Sequence, residues 1–246
     1  MNRKILIQQI FDNTNFENYL EIGSRGGRSF LPLRAKYKIA IDPVFNISFF
    51  KKWKWKMKVP ENANNVFFEE TSDDFFAKRQ DHLKKIKHID VALVDGMHTF
   101  RAALQDSLNI LKHLNPNGII IFHDCLPPHE AAAYPTKNHF PTKEEQANIE
   151  GWTKEWCGDV WKSIVYLRRN FPNQLDAYVL DTDYGLGIIR LKSEVKAEDL
   201  VINESAYQEV DQLLYKDMIK DTSSYLGLKE VDHAAEIVRE ISNNDK

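Results

Sequence analysis

Cysteine is nearly missing from this chain: Cys125 and Cys157 are the only two in 246 residues. They lack the spacing of a metal motif and are too few for a disulfide framework, so reduced thiols are expected. Long apolar runs are missing too. No segment approaches the ~20 residues of a membrane span, and the N-terminal MNRKILIQQIFDNTNF has no apolar stretch leading to a small-residue cleavage site. The expectation is a soluble, cytoplasmic protein with no membrane insertion. An excess of one charge is also lacking. With a net charge of −3, the whole chain offers no general electrostatic attraction for nucleic acid or an anionic membrane. Internal repeats and low-complexity tracts are not seen, and the length suits one α/β domain with decorations.

What the chain does have is an alternation of apolar runs with helical patterns, which argues for βα units and a mostly parallel sheet covered on both faces. Strands are expected at Tyr19–Ile22, Lys38–Ile41, Asn65–Phe68, Asp90–Val94 and Gly118–Phe122. A helix is expected over Thr99–Leu114, with Asn115-Pro116-Asn117-Gly118 as its stop and turn. Another helix is expected in GDVWKSIVYLRRNF. Two close strands, Asp176–Leu180 and Gly187–Leu191, flank the turn-rich Asp181-Thr182-Asp183-Tyr184-Gly185 and predict an antiparallel hairpin at the sheet edge. From 193 to 246 the pattern reads as an extension of two or three amphipathic helices, including SAYQEVDQLLYKDMIK and VDHAAEIVREIS, which could pair in a homo-oligomer.

The segment Asn18–Pro43 carries the strongest signal. An apolar strand runs into a glycine-rich turn, then a helix, then a second strand ending at Asp42. Gly23, Gly26 and Gly27 allow a sharp turn and close approach to a ligand, and Asp42 falls about 20 residues on, where a strand-tip carboxylate can reach a ribose. A dinucleotide fingerprint starting at Gly23 would need glycine at positions 25 and 28, which are Arg25 and Arg28. A nicotinamide-dependent oxidoreductase is therefore the weaker reading.

Two more polar clusters follow apolar strands, Asp95-Gly96-Met97-His98 and His123-Asp124. Ligands of open parallel sheets gather at that edge. His98 and His123 are candidate bases, since imidazole titrates near neutral pH, and Asp95 and Asp124 are candidate ligands for a hard cation such as Mg²⁺. The plainer account of His123-Asp124 is a pair that fixes its own loop.

Between Leu126 and Cys157 regularity lapses, with four prolines and with His129, Tyr134, His139, Phe140, Trp152 and Trp156. A lid over a substrate is expected. Lys51–Lys58, KKWKWKMK, is unusual enough to suit nucleic acid, a membrane surface or an anionic substrate. The preferred reading is a solvated basic face with Trp53 and Trp55 packed beneath it.

Glu21-Ile-Gly23-Ser24-Arg25-Gly26-Gly27 resembles the first motif of class I S-adenosylmethionine (SAM) dependent methyltransferases. The run Asp95-Gly96-Met97-His98, Asp106 and Asn117-Gly118 through His123-Asp124 resembles the DGxH…D…GGxxxxHD signature of bacterial sugar and macrolide O-methyltransferases. The glycine usual at 117 is replaced by asparagine, which also tolerates left-handed backbone angles. The resemblance covers residues 15 to 192 and implies a Rossmann-like sheet forming a methyltransferase domain over 1–192, with the lid-like insertion at 126–157 and the helical extension at 193–246. It implies SAM as cofactor, bound by Glu21, Gly23, Ser24, Arg25, Gly27, Asp42, Ser72 and Asp95. Glu21 would meet the methionine end, Asp42 the ribose and Ser72 the adenine, although Ser72 also reads as a helix N-cap. A metal, if used, would sit on Asp95 and Asp124, but His123 stands where the usual set has an acid, so a histidine base is favoured. The implied activity is O-methylation of a sugar, glycan or glycosylated metabolite. A non-catalytic SAM-fold binding protein is the alternative outside the enzymes.

Overall fold

The computed structural model describes residues 1–136, 140–192 and 195–245. Seven strands form one sheet: β1 (Asn18–Ile22), β2 (Tyr37–Ile41), β3 (Asn65–Phe68), β4 (Ile89–Val94), β5 (Leu114–Phe122), β6 (Leu175–Leu180) and β7 (Leu186–Leu191). Their order is β3-β2-β1-β4-β5-β7-β6. The first five pair in parallel, and β7 inserts antiparallel between β5 and β6.

Side chains alternate faces along a strand, and here both faces are apolar, as a sheet covered on two sides requires. Leu20, Ile22, Ala92, Val94, Ile120 and Phe122 point into one core. Against them pack α3 (Ser72–Lys78), α5 (Phe100–Leu111) and α7 (Trp161–Asn170). Tyr19, Val91, Leu93, Ile119 and Ile121 point the other way, toward α1 (Arg3–Asn13) and the C-terminal α11 (His233–Asn244). Leu104 of α5 is fully buried. Truncating it to alanine should cost about 2–5 kcal/mol.

Several expectations are corrected. Residues 23–36 form turns rather than a helix: Leu31 N bonds to Gly27 O at 3.2 Å, but Pro32 has no N–H to continue the ladder. Asn115–Gly118 is no turn either. It is the irregular start of β5, where the register against β4 shifts between Ile89 and Val91. Asn117 donates its amide to Asn115 Oδ1 there, and its φ is not positive. Helix α1 was not anticipated, although Leu6, Ile7, Ile10 and Phe11 have helical spacing and are buried. The insertion holds a short α6 (Lys143–Asn148) closed by a Thr142/Glu145 capping box.

Among the described residues the C-terminal extension has four α-helices, α8 (Glu204–Asp211), α9 (Tyr215–Lys220), α10 (Thr222–Leu226) and α11. SAYQEVDQLLYKDMIK is split because Asp217 accepts the Leu214 amide and restarts the helix. The basic run also departs from expectation. It lies in α2 (Phe49–Lys58), where Trp55 packs on the core but Trp53 stays 59 % exposed. The remaining helix, α4 (Gln80–Ile86), precedes β4. His139 lies outside the described residues.

Candidate active site

The first residue after each central strand stays latched to its neighbour, and this fixes the polar residues at the carboxyl edge of the sheet. Gly23 N donates to Ile41 O at 2.9 Å, Asp42 N to Phe68 O at 3.2 Å, Asp95 N to Ile22 O at 2.9 Å and His123 N to Val94 O at 3.1 Å. Gly23 has φ +88°, and a Cβ there would lie 2.0 Å from the Asp95 carbonyl oxygen. Only glycine lets the two strand ends close on each other. Arg25, also at positive φ, donates its amide to Asp42 Oδ2 at 2.7 Å, and Val44 N donates to Oδ1 at 2.9 Å. Asp42 thus ties down the glycine turn while keeping lone pairs for a ligand.

These residues border a cavity of about 830 Å³, a size suited to a nucleotide-sized molecule. Gly23, Arg25, Asp42, Ser72, Asp95 and His98 line it, together with Asp106. Glu21, Ser24, Gly26, Gly27, His123 and Asp124 do not. Glu21 is buried and accepts the Tyr19 hydroxyl at 2.6 Å, and burial pushes its carboxyl up to about 7. Ser24 is buried with its hydroxyl toward Glu21 O at 3.4 Å. Ser72 is not the α3 cap. Thr71 Oγ1 fills that role by accepting from Asp74 N, which leaves Ser72 on the cavity wall. Asp106 is raised to about 7 by burial, against the bond from Ser72.

At the far end of the cavity two acids and two imidazoles converge. Asp95 Oδ1 lies 3.3 Å from His123 Nδ1 and 3.6 Å from His98 Nε2. Asp124 Oδ2 lies 3.0 Å from His123 Nδ1 and 3.3 Å from His98 Nδ1. Asp124 has φ +63°, a costly conformation for a residue with a Cβ and one that collects at functional sites. Burial works against charge on Asp95, yet the adjacent His123 and His98 and the charge of Arg3 hold its carboxyl well below the usual range. One atom each from Asp95, His98 and Asp124 lie within 4.8 Å of one another, a spacing that could hold a metal ion. His123 Nδ1 is buried beside both carboxylates without an aligned hydrogen bond. A hard cation fits this donor set.

Two participants were not expected. Arg3 places Nη1 2.7 Å from His123 Nε2 and 2.9 Å from Asp183 Oδ2, with Nη2 3.4 Å from Asp95. Asp183 stands in the β6–β7 turn. The antiparallel β7 brings that turn to the same edge, where Gly185 O receives the Cys125 amide, so the hairpin itself was the signal for Asp183. Nothing in the sequence marks Arg3. Burial disfavours a charged His123, while Asp124, Asp183 and Asp95 raise its pKa. Arg3 pulls the other way: a guanidinium only donates, so its contact with Nε2 is a hydrogen bond only when the ring is neutral with its proton on Nδ1. His98 has a raised pKa, since its bonds to Asp95 and the nearby Asp124 outweigh its burial.

The insertion supplies the cavity's aromatic wall. Trp156 stacks on His98 with ring centres 5.1 Å apart, and Phe140 meets Trp156 edge-on at 5.4 Å. Both line the cavity. Asp159 Oδ1 caps α5 from this side by accepting Phe100 N at 2.7 Å. Gly158 passes so close to His98 that a Cβ would lie 1.9 Å from the His98 carbonyl oxygen.

Residues 20–125 match the family model described as "Methyltransferase domain". This stretch is similar to a methyltransferase domain, on the sheet described above. That match spans the glycine turn, Asp42, the Asp95–His98 cluster and His123-Asp124. The cofactor-bound structure of Rv0187 from MTB is 11 % identical, with 76 % of this chain and 78 % of that one covered and a TM-score of 0.50. SAH-bound PaMTH1 from Podospora anserina is 17 % identical over 77 % and 76 %, with a TM-score of 0.49. At these identities the likeness concerns the fold. The comparison with curated proteins gives no match.

Proposed function

We propose that this enzyme transfers the methyl group of SAM to a hydroxyl oxygen of a sugar, glycan or glycosylated metabolite. The observation that carries the proposal is that one cavity has the glycine turn and Asp42 at one end and Asp95, His98, Trp156 and Phe140 at the other. Methyl transfer needs the acceptor oxygen aligned behind the methyl group and its proton removed. Gly23, Asp42 and Ser72 would hold the donor. Phe140 and Trp156 offer flat apolar faces for the C–H face of a sugar ring, which is how the 126–157 insertion would choose and cover the acceptor.

The sequence favours a histidine base, but the geometry supports the carboxylates. His123 Nε2 is taken by Arg3, and each nitrogen of His98 lies within 3.6 Å of a carboxylate oxygen. His98 directs Nδ1 at Trp156 O at 3.2 Å, so its one lone pair is on Nε2, turned to Asp95, where it suits a cation shared with that carboxylate. We propose that Asp95, His98 and Asp124 hold a divalent cation such as Mg²⁺. Bound there, the cation would lower the pKa of a hydroxyl. Asp95 is already held as a carboxylate, and His123, Arg3 and Asp183 keep Asp95 and Asp124 in place.

The test is turnover of labelled SAM against a glycan panel, run with and without EDTA. Methylation that EDTA abolishes and Mg²⁺ restores is expected. Turnover that persists in EDTA but falls about 10²–10⁴-fold in His98→Ala would return the role to a histidine base. Transfer only to non-hydroxyl acceptors would overturn the acceptor class.

A further inference from the structure

The helix α2 has no part in the site described above, and its outer face is unlike the rest of the surface. Phe49 is 76 % exposed, Phe50 79 %, Trp53 59 % and Met57 69 %. At 3.6 residues per turn these four side chains fall within one sector about 100° wide. Lys54 and Lys58 flank the sector on one side, Lys52 and Lys56 on the other. Trp55 lies on the opposite side and anchors the helix to the core beside Phe45, Ile47 and Phe67. The helix contains no acidic residue. Among the described residues no carboxylate forms an ion pair with any of its lysines; Lys52 instead sits 4.1 Å over the Phe67 ring and Lys51 bonds to Gly26 O. Five uncompensated positive charges on ten residues stand out on a chain of net charge −3.

We propose that α2 docks the protein on the surface of an anionic phospholipid bilayer. An apolar stripe of bulky side chains bordered by lysines on both sides is the arrangement that lies in a headgroup layer: the stripe enters the acyl boundary and the ammonium groups meet lipid phosphates. Charge complementarity selects this occupant. A second copy of the chain pairing through the same face would bring two sets of lysines together with no acid between them. Nucleic acid would need the aromatics set in a basic groove, whereas α2 is a convex single helix whose stripe includes methionine. Among the described residues no helix is long and apolar enough to cross a membrane, so the contact is with the surface. Asn46 N bonds to Arg25 O at 2.8 Å just before the helix, so α2 sits beside the glycine turn, and docking would hold that turn close to the lipid headgroups.

The experiment is co-sedimentation of the full chain with phosphatidylcholine vesicles, with and without phosphatidylglycerol, at low and high salt. Binding to the anionic vesicles alone, weakened by salt, is expected. Each lysine near the surface should contribute about fivefold in affinity. The triple change Lys54→Gln, Lys56→Gln, Lys58→Gln should therefore lower binding about a hundredfold. Phe49→Ser with Phe50→Ser should abolish it without disturbing the fold, checked by circular dichroism and SAM binding, because both rings are exposed. Equal sedimentation of wild type and the phenylalanine variant would overturn the proposal. So would tighter binding to single-stranded RNA than to anionic vesicles, or a dimer in solution that Phe49→Ser with Phe50→Ser dissociates.

Discussion

The two ends of the cavity are made in different ways. The end proposed to meet the donor is mostly backbone: Gly23 at positive φ, the Arg25 amide on Asp42, and strand tips latched in register. The other end is mostly side chain, with Asp95, His98, His123 and Asp124 held by Arg3, Asp183 and the stacked Trp156. A backbone site tolerates no added Cβ but can survive a lost contact. A charge cluster fails when one member leaves, because its partners are then buried unpaired.

The sharpest way to break the comparison is to remove charge at the second end. On the proposed cation site, Asp95→Asn or Asp124→Asn should lower kcat by about 10²–10⁴-fold, because a ligand of the group proposed to activate the hydroxyl is lost. SAM affinity, read by calorimetry, should stay within a few-fold for Asp124→Asn, because Asp124 does not line the cavity. If that variant lost SAM binding as fully as turnover, the two ends would be one site and the contrast would be wrong.

The donor end should give the converse result at smaller size. Asp42→Ala removes charge-assisted hydrogen bonds worth about 1.5–3 kcal/mol each, so SAM affinity should fall about 10–100-fold, while kcat at saturating SAM changes little. Asp42→Asn, which keeps one oxygen for the turn, separates ligand contact from loop support: recovery of most of the affinity would mean that Asp42 serves mainly to hold Arg25 and Val44.

How far the sequence carried follows the same division. All seven strands and their edge were legible because short apolar runs and strand-tip polar clusters are local signals. Gly23 and Asp42 could be read for the same reason. Arg3 could not, because it reaches the site only after α1 packs across the sheet, and no spacing in a sequence encodes that contact. Asp183 was half legible: its turn was read, but the edge it would join depended on the insertion of β7. Trp53 was misplaced because alternation of lysine and tryptophan does not say which turn of a helix faces inward; the core contact of Trp55 with Phe45 and Phe67 decides it.

A smaller effect concerns the insertion. Ala132 O receives both Cys157 N and Gly158 N, and Trp156 Nε1 donates to Tyr134 O at 2.8 Å, so the two ends of the segment are pinned. Residues 141–152 carry no buried side chain apart from Pro141. If the segment covers the acceptor, amide exchange there should slow when acceptor and S-adenosylhomocysteine are both bound, more than with the cofactor product alone. Equal exchange in all three states would restrict the role of the insertion to Trp156 and its neighbours.

The smallest effect is a difference in how the two ends answer pH. Burial pushes the Glu21 carboxyl up to about 7 from an ordinary value of 4.5. Between those values the folded chain holds a proton that the unfolded chain has released, so this group's stabilising effect is complete below about 4.5 and is lost as pH rises through about 7. Asp106, also raised by burial to about 7, acts in the same direction. Asp95 acts oppositely: despite its burial it is held below the usual carboxylate range by His123, His98 and Arg3, so its contribution is present at neutral pH and is lost only in acid. Glu21→Gln, which keeps an acceptor for the Tyr19 hydroxyl, should flatten the fall in Tm between pH 5 and 8 by a few degrees, about what 1–2 kcal/mol is worth in a chain of this size. Asp95→Asn should leave that slope alone and change the acid limb instead. A Tm profile for Glu21→Gln parallel to wild type across the neutral range would mean that the Glu21 carboxyl is ionised in the fold, with the Tyr19 hydroxyl sufficient to hold its charge.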